Sequence, residues 1–91
     1  MLRRAEIVVR GRVQGVYFRY ATKRMADDFN VTGRVRNRGD GSVEIVCEGD
    51  DKDIARLVEW CNRGPQDASV ERVDVAWRAH EGEFTDFRIT Y

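Results

Sequence analysis

Apolar and polar residues alternate over residues 6–13, with Ile7, Val9 and Val13 on one face and Glu6, Arg10 and Arg12 on the other. That pattern predicts a half-buried strand. Past Gly11 and Gly15 the period changes. Phe18, Ala21, Met25 and Phe29 recur at helical spacing while Lys23, Arg24, Asp27 and Asp28 fall opposite them, which predicts a helix over about 18–29. Residues 33–37 are short and strand-like, Arg38-Gly39-Asp40-Gly41 carry turn chemistry, and alternation resumes over 42–48 through Val43, Ile45 and Cys47. Together these segments predict a hairpin. Asp50 or Asp51 can cap a second helix with the apolar stripe Ile54, Leu57, Val58 and Cys61, and Gly64-Pro65 ends it. Two more strands follow: 70–78, through Val73, Val75 and Trp77, and a short one through Phe87, Ile89 and Tyr91.

The resulting order is β-α-β-β-α-β plus a short C-terminal strand. This is an α+β chain of the ferredoxin-like, split β-α-β kind, with two helices expected on one face of an antiparallel sheet. Neither an internal repeat nor a linker interrupts it, so residues 1–91 are expected to form a single domain.

Composition narrows the classes of partner. Sixteen basic and sixteen acidic side chains cancel, so no net field draws the molecule to nucleic acid or to an anionic membrane, and any anion site must be local. No apolar run approaches the roughly 20 residues of a membrane helix, and the Met-Leu-Arg-Arg start lacks the apolar stretch of a secretory signal. A cytoplasmic monomer with a small-molecule partner is the expectation. Cys47 and Cys61 have no metal-ligand spacing and read as thiols in or near the core, without a disulfide between a helix and the sheet it covers. Neither a metal nor a cofactor is called for.

The order of elements decides which residues can meet. In a split β-α-β unit the first two strands run in the same direction with one strand between them, so their C-terminal ends share a sheet edge roughly 10 Å apart. Those ends carry Gln14-Gly15 and Arg36-Asn37. The loop of Gln14, Gly15, Val16, Tyr17, Phe18 and Arg19 feeds directly into a helix N-terminus, where unpartnered N–H groups and a positive dipole end favour an anion. Arg19 in the first turn opposes that dipole unless an anion joins it. Asn37 shares the face of Val35, towards the helices and the loop. Taken alone, Arg19 reads as a surface arginine and Asn37 as a turn former; on one sheet edge they read as an anion site. The loop lacks a Gly-Lys-Ser/Thr ending and is not a nucleotide P-loop. His80, the one histidine, lies in a polar stretch and reads as solvated, and Trp60 and Trp77 read as core or edge packing.

The runs Gly11-Arg12-Val13-Gln14-Gly15-Val16-Tyr17-Phe18-Arg19, Gly33-Arg34-Val35-Arg36-Asn37, Asp40-Gly41-Ser42-Val43-Glu44 and Glu48-Gly49 closely resemble the acylphosphatase family, as does the terminal Phe87-x-Ile89-x-Tyr91. The resemblance implies metal-free hydrolysis of an acyl phosphate to a carboxylate and inorganic phosphate, without a covalent intermediate. It implies that Arg19 and the loop amides hold the phosphate and that Asn37 orients the attacking water. Tyr17 stands where many relatives carry a small residue and is expected to narrow the mouth of the loop; Arg34 stands where an aromatic is common and is expected at the surface. Two rival readings remain: a non-catalytic anion-binding module, since this fold carries many functions, and a carbamoyl-phosphate-handling domain like that of hydrogenase-maturation proteins, which are much longer chains.

Overall fold

The computed structural model describes all residues 1–91. Seven elements follow in order: β1 (Leu2–Arg12), α1 (Phe18–Asp28), β2 (Thr32–Asn37), β3 (Val43–Asp50), α2 (Asp51–Cys61), β4 (Ser69–Ala79) and β5 (Phe87–Ile89). The strands form one sheet in the order β4-β1-β3-β2-β5. β3 separates β1 from β2 and is antiparallel to both, so β1 and β2 run together as the element order requires.

The sheet is mixed, which corrects the expectation of an antiparallel one. β5 pairs in parallel with β2, Gly33 opposite Phe87 and Val35 opposite Ile89. The cause is the connection after β4. It crosses from one edge of the sheet to the other at the end where β1 begins, so β5 can only run back alongside β2. The ladder ends at Ile89, short of Tyr91, although the N–H of Thr90 still donates to the Val35 carbonyl at 2.8 Å.

Alternate residues of β1, namely Ala5, Ile7 and Val9, face the core with Val35, Val43, Ile45 and Cys47, and the helices close it with Phe18, Ile54, Leu57 and Cys61. Each of the Val, Ile, Leu and Phe side chains among them, fully removed from water, contributes about 1.5–3 kcal/mol. A register shift at Arg10/Gly11 bulges β1 against β4 before the chain turns into the loop. At Gly33 (φ +150°) an added Cβ would lie 2.1 Å from the Val46 carbonyl oxygen, so the close approach of β2 and β3 depends on a bare backbone there.

The buried face of α1 is displaced by one position from the predicted stripe. Phe18, Thr22 and Ala26 are buried, while Ala21, Met25 and Phe29 lie at its flank. Thr22 tolerates burial because its hydroxyl donates to the Phe18 carbonyl at 2.8 Å, and small residues let the helix approach the sheet. Lys23, expected to face away, reaches back to the Phe87 carbonyl at 3.0 Å and so ties α1 to β5. α2 matches its predicted stripe, Ile54, Leu57 and Cys61 being fully buried. No helix is long and apolar enough to cross a membrane.

Candidate active site

The C-terminal ends of β1, β2 and β5 meet at one edge of the sheet, and the loop between β1 and α1 closes over it. Within that loop Gly15 (φ +75°) and Tyr17 (φ +63°) both take left-handed backbone, turning the chain sharply into α1. Tyr17 occupies the N-cap position without a side-chain cap, and the first turn of α1 contains no acidic residue. Apart from helix continuation, the first bond closed is from the Ala21 N–H to the Tyr17 carbonyl at 3.0 Å. The preceding amides, through residue 20, have no acceptor within the chain. Such a turn is a ready-made anion cradle.

A cavity of about 410 Å³ opens at this point, bordered by Val13, Gly15, Tyr17, Phe18, Arg19, Tyr20, Asn37, Ile89 and Tyr91. Arg19 and Asn37, predicted from opposite ends of the motif, therefore share one pocket. The Arg19 guanidinium donates to the Thr90 carbonyl at 3.5 Å and lies 4.8 Å from the centre of the Tyr91 ring. One long contact and a cation–π stack orient the fork while leaving most of its donors for an anion. Asn37 makes backbone pairs with Val43 but no side-chain hydrogen bond, so its amide is available to the cavity.

Gln14 and Val16, the other members of the predicted loop, do not border the cavity. Val16 is buried in the core. The Gln14 side chain donates to the carbonyls of Arg38 at 2.8 Å and Ser42 at 2.9 Å, lashing the loop to the β2–β3 turn. The same turn is closed by Asp40, which accepts from the Ser42 hydroxyl and from its N–H at 3.0 Å. Those two bonds hold the Asp40 carboxyl at a pKa of about 2. Asn37 is thereby held at a set position relative to the amides facing it. None of the side chains bordering the cavity is a carboxylate or an imidazole; its titratable side chains are Arg19 and three tyrosines.

A protein-family model described as Acylphosphatase matches residues 5–89. The chain belongs to the acylphosphatase family. It is accordingly an enzyme of the hydrolase class. It is 50% identical over 88 residues to an acylphosphatase of Pelotomaculum thermopropionicum, spanning 97% of this chain and 96% of that one. The crystal structure of the acylphosphatase from Bacillus subtilis superposes at a TM-score of 0.94 with 37% identity, covering all of both chains. The fold also matches part of full-length HypF, crystallised in a phosphate- and nucleotide-bound form, at a TM-score of 0.86 and 26% identity; this chain spans 12% of that one.

Within this family member, sequence reasoning missed the contribution of the C-terminus. Ile89 and Tyr91 border the cavity and Thr90 anchors Arg19. The alternation of Phe87, Ile89 and Tyr91 was legible, but not the partner strand, and only the parallel pairing with β2 carries these residues to the pocket. Tyr20 was missed for a simpler reason. It lies opposite the apolar stripe of α1, where an exposed tyrosine attracts no notice. His80 is exposed and does not border the cavity, as expected of a solvated residue.

Proposed function

We propose that this chain hydrolyses the carboxyl-phosphate bond of small acyl phosphates by direct attack of water on phosphorus. The phosphate rests on the loop amides of residues 14–19 and on the Arg19 guanidinium, and Asn37 holds the water in line with the leaving carboxylate. The observation that carries this reading is the convergence of Arg19, the unpartnered amides at the start of α1 and the free Asn37 amide on one cavity. An acyl phosphate is a mixed anhydride with a good leaving group, so positioning and charge stabilisation supply most of the rate. Asparagine accepts no proton at neutral pH, and no carboxylate or imidazole side chain borders the cavity. The proton of the water therefore passes to the substrate phosphate. No metal enters the scheme.

The test is hydrolysis of benzoyl phosphate in the presence of chelator by the wild type, Arg19→Ala and Asn37→Ala. The wild type should turn over. Arg19→Ala should lose activity on the order of a thousandfold together with most phosphate affinity, whereas Asn37→Ala should lose rate but keep phosphate binding. Equal loss of rate and binding in Asn37→Ala would reassign Asn37 to the phosphate. Saturable phosphate binding by a folded wild type that shows no turnover would make the chain a binding module.

A further inference from the structure

All three tyrosines of the chain border this one cavity. Tyr17, Tyr20 and Tyr91 are 81%, 68% and 95% exposed, and they make up half of the large apolar side chains the surface displays. No tyrosine hydroxyl has a hydrogen-bond partner within the chain, so internal polar contacts do not explain their placement. Tyr17 is held at φ +63°, a left-handed conformation that glycine adopts freely and a bulky side chain adopts at a cost. Tyr20 follows it by three residues, one turn further along the start of α1, and the Tyr91 ring stands 4.8 Å from the Arg19 guanidinium. The cavity that holds Arg19 and Asn37 thus carries three exposed aromatic rings on its border.

Resting on the reading above, in which the floor takes the phosphate, we infer that these tyrosines form a rim for the acyl group and make the chain selective for acyl phosphates with an aromatic or similarly broad apolar acyl part. With the phosphate seated on the amides and Arg19, the acyl group points outward, because the leaving carboxylate lies opposite the attacking water. It emerges between Tyr17 and Tyr20, whose rings offer apolar faces that a methyl group is too small to cover and a phenyl ring fills. The backbone strain at Tyr17 is then the consequence of placing a ring where the turn alone favours glycine.

The experiment compares kcat/KM for benzoyl phosphate with kcat/KM for acetyl phosphate, as a ratio within each protein, for the wild type, Tyr17→Phe, Tyr17→Gly and Tyr20→Ala. The ratio cancels any change at the phosphate floor, and comparing it between variant and wild type cancels the intrinsic reactivity of each substrate. Tyr17→Gly and Tyr20→Ala should each lower it about threefold to tenfold, chiefly through a higher KM for benzoyl phosphate, and Tyr17→Phe should keep it. In the wild type, phenylphosphonate should inhibit acetyl phosphate hydrolysis at a correspondingly lower concentration than methylphosphonate, a reading that needs no variant. A ratio that stays within about twofold of wild type in both truncations, or equal inhibition by the two phosphonates, overturns the rim while acetyl phosphate turnover leaves the hydrolase standing. Failure of the wild type on both substrates overturns the two together.

Discussion

Arg19 occupies the first turn of α1, a position where the helix dipole disfavours a cation, and its own hydrogen bond is a single long contact of 3.5 Å to Thr90. What fits it to the place is geometry. A planar fork stacked near Tyr91 can present two parallel donors to a phosphate, whereas an ammonium on a flexible stem cannot. Arg19→Lys should therefore restore little, with kcat/KM still on the order of a hundredfold below wild type; recovery to near-normal turnover would show that charge alone suffices. The cysteines make the opposite case, residues with chemistry but no access. Burial pushes the Cys47 thiol up to about 12 and shifts Cys61 in the same direction, and both are free and fully buried. They stay protonated at neutral pH, so iodoacetamide should leave the native protein unmodified and label both thiols in denaturant. Labelling of the native protein at the rate of an exposed thiol would contradict this packing.

At the scale of elements, the two helices differ at their N-termini. α2 begins on Asp50, whose carboxylate accepts from the Lys52 N–H at 3.0 Å, and carries Asp51 and Asp53 in its first turn. Its orphan donors and dipole are answered within the chain. α1 has neither a capping side chain nor an acidic first turn, so its N–H groups are left for a ligand. On the proposed reading, this asymmetry separates a helix start capped within the chain from one left open for an anion. Asp50→Ala should lower Tm by roughly a few degrees, with phosphate binding unchanged; loss of phosphate binding in that variant would mean that α2 supports the site in a way its contacts do not indicate. Both helices were legible in the sequence, α2 because period, cap and stop signals agree and α1 from its apolar period alone. The face of α1 was not, because Thr22 is buried through a hydroxyl bond to Phe18 that no polarity pattern reveals.

For the molecule as a whole, the crossing segment from β4 to β5 is what brings the C-terminal residues to the cavity, and it is pinned by a buried carboxylate. Glu48, at 1% exposure, accepts from the N–H groups of Glu81, Gly82 and Glu83 at 2.5, 3.2 and 2.8 Å. The guanidinium of Arg4, also buried, lies 3.6 Å from Glu48 through Nη1 and 2.9 Å from Glu83 through Nη2. Burial works to raise the Glu48 pKa, but the three backbone bonds outweigh it and the net shift is downward. A carboxyl held below its unfolded value contributes stability that is present above that value and is lost as pH falls through the folded one. Urea midpoints should thus decline as pH drops below about 4.5, and Glu48→Gln should lose about 2–3 kcal/mol at neutral pH while flattening that acid slope. An unchanged slope in Glu48→Gln would place the acid sensitivity elsewhere.

The amino-acid sequence by itself determined the identity of the elements and the loop that turns into α1, since strand alternation, helix period and Gly or Pro punctuation are local properties of neighbouring residues. It also determined that Arg19 and Asn37 meet, because two parallel strands separated by one can only end at the same edge. Tertiary structure alone decided the direction of β5, the Glu48 clamp on the crossing segment and the arrival of Thr90 and Tyr91 beside Arg19. Those depend on contacts between residues as far apart as 19 and 90, and no short-range pattern encodes which edge of a sheet a returning strand will find.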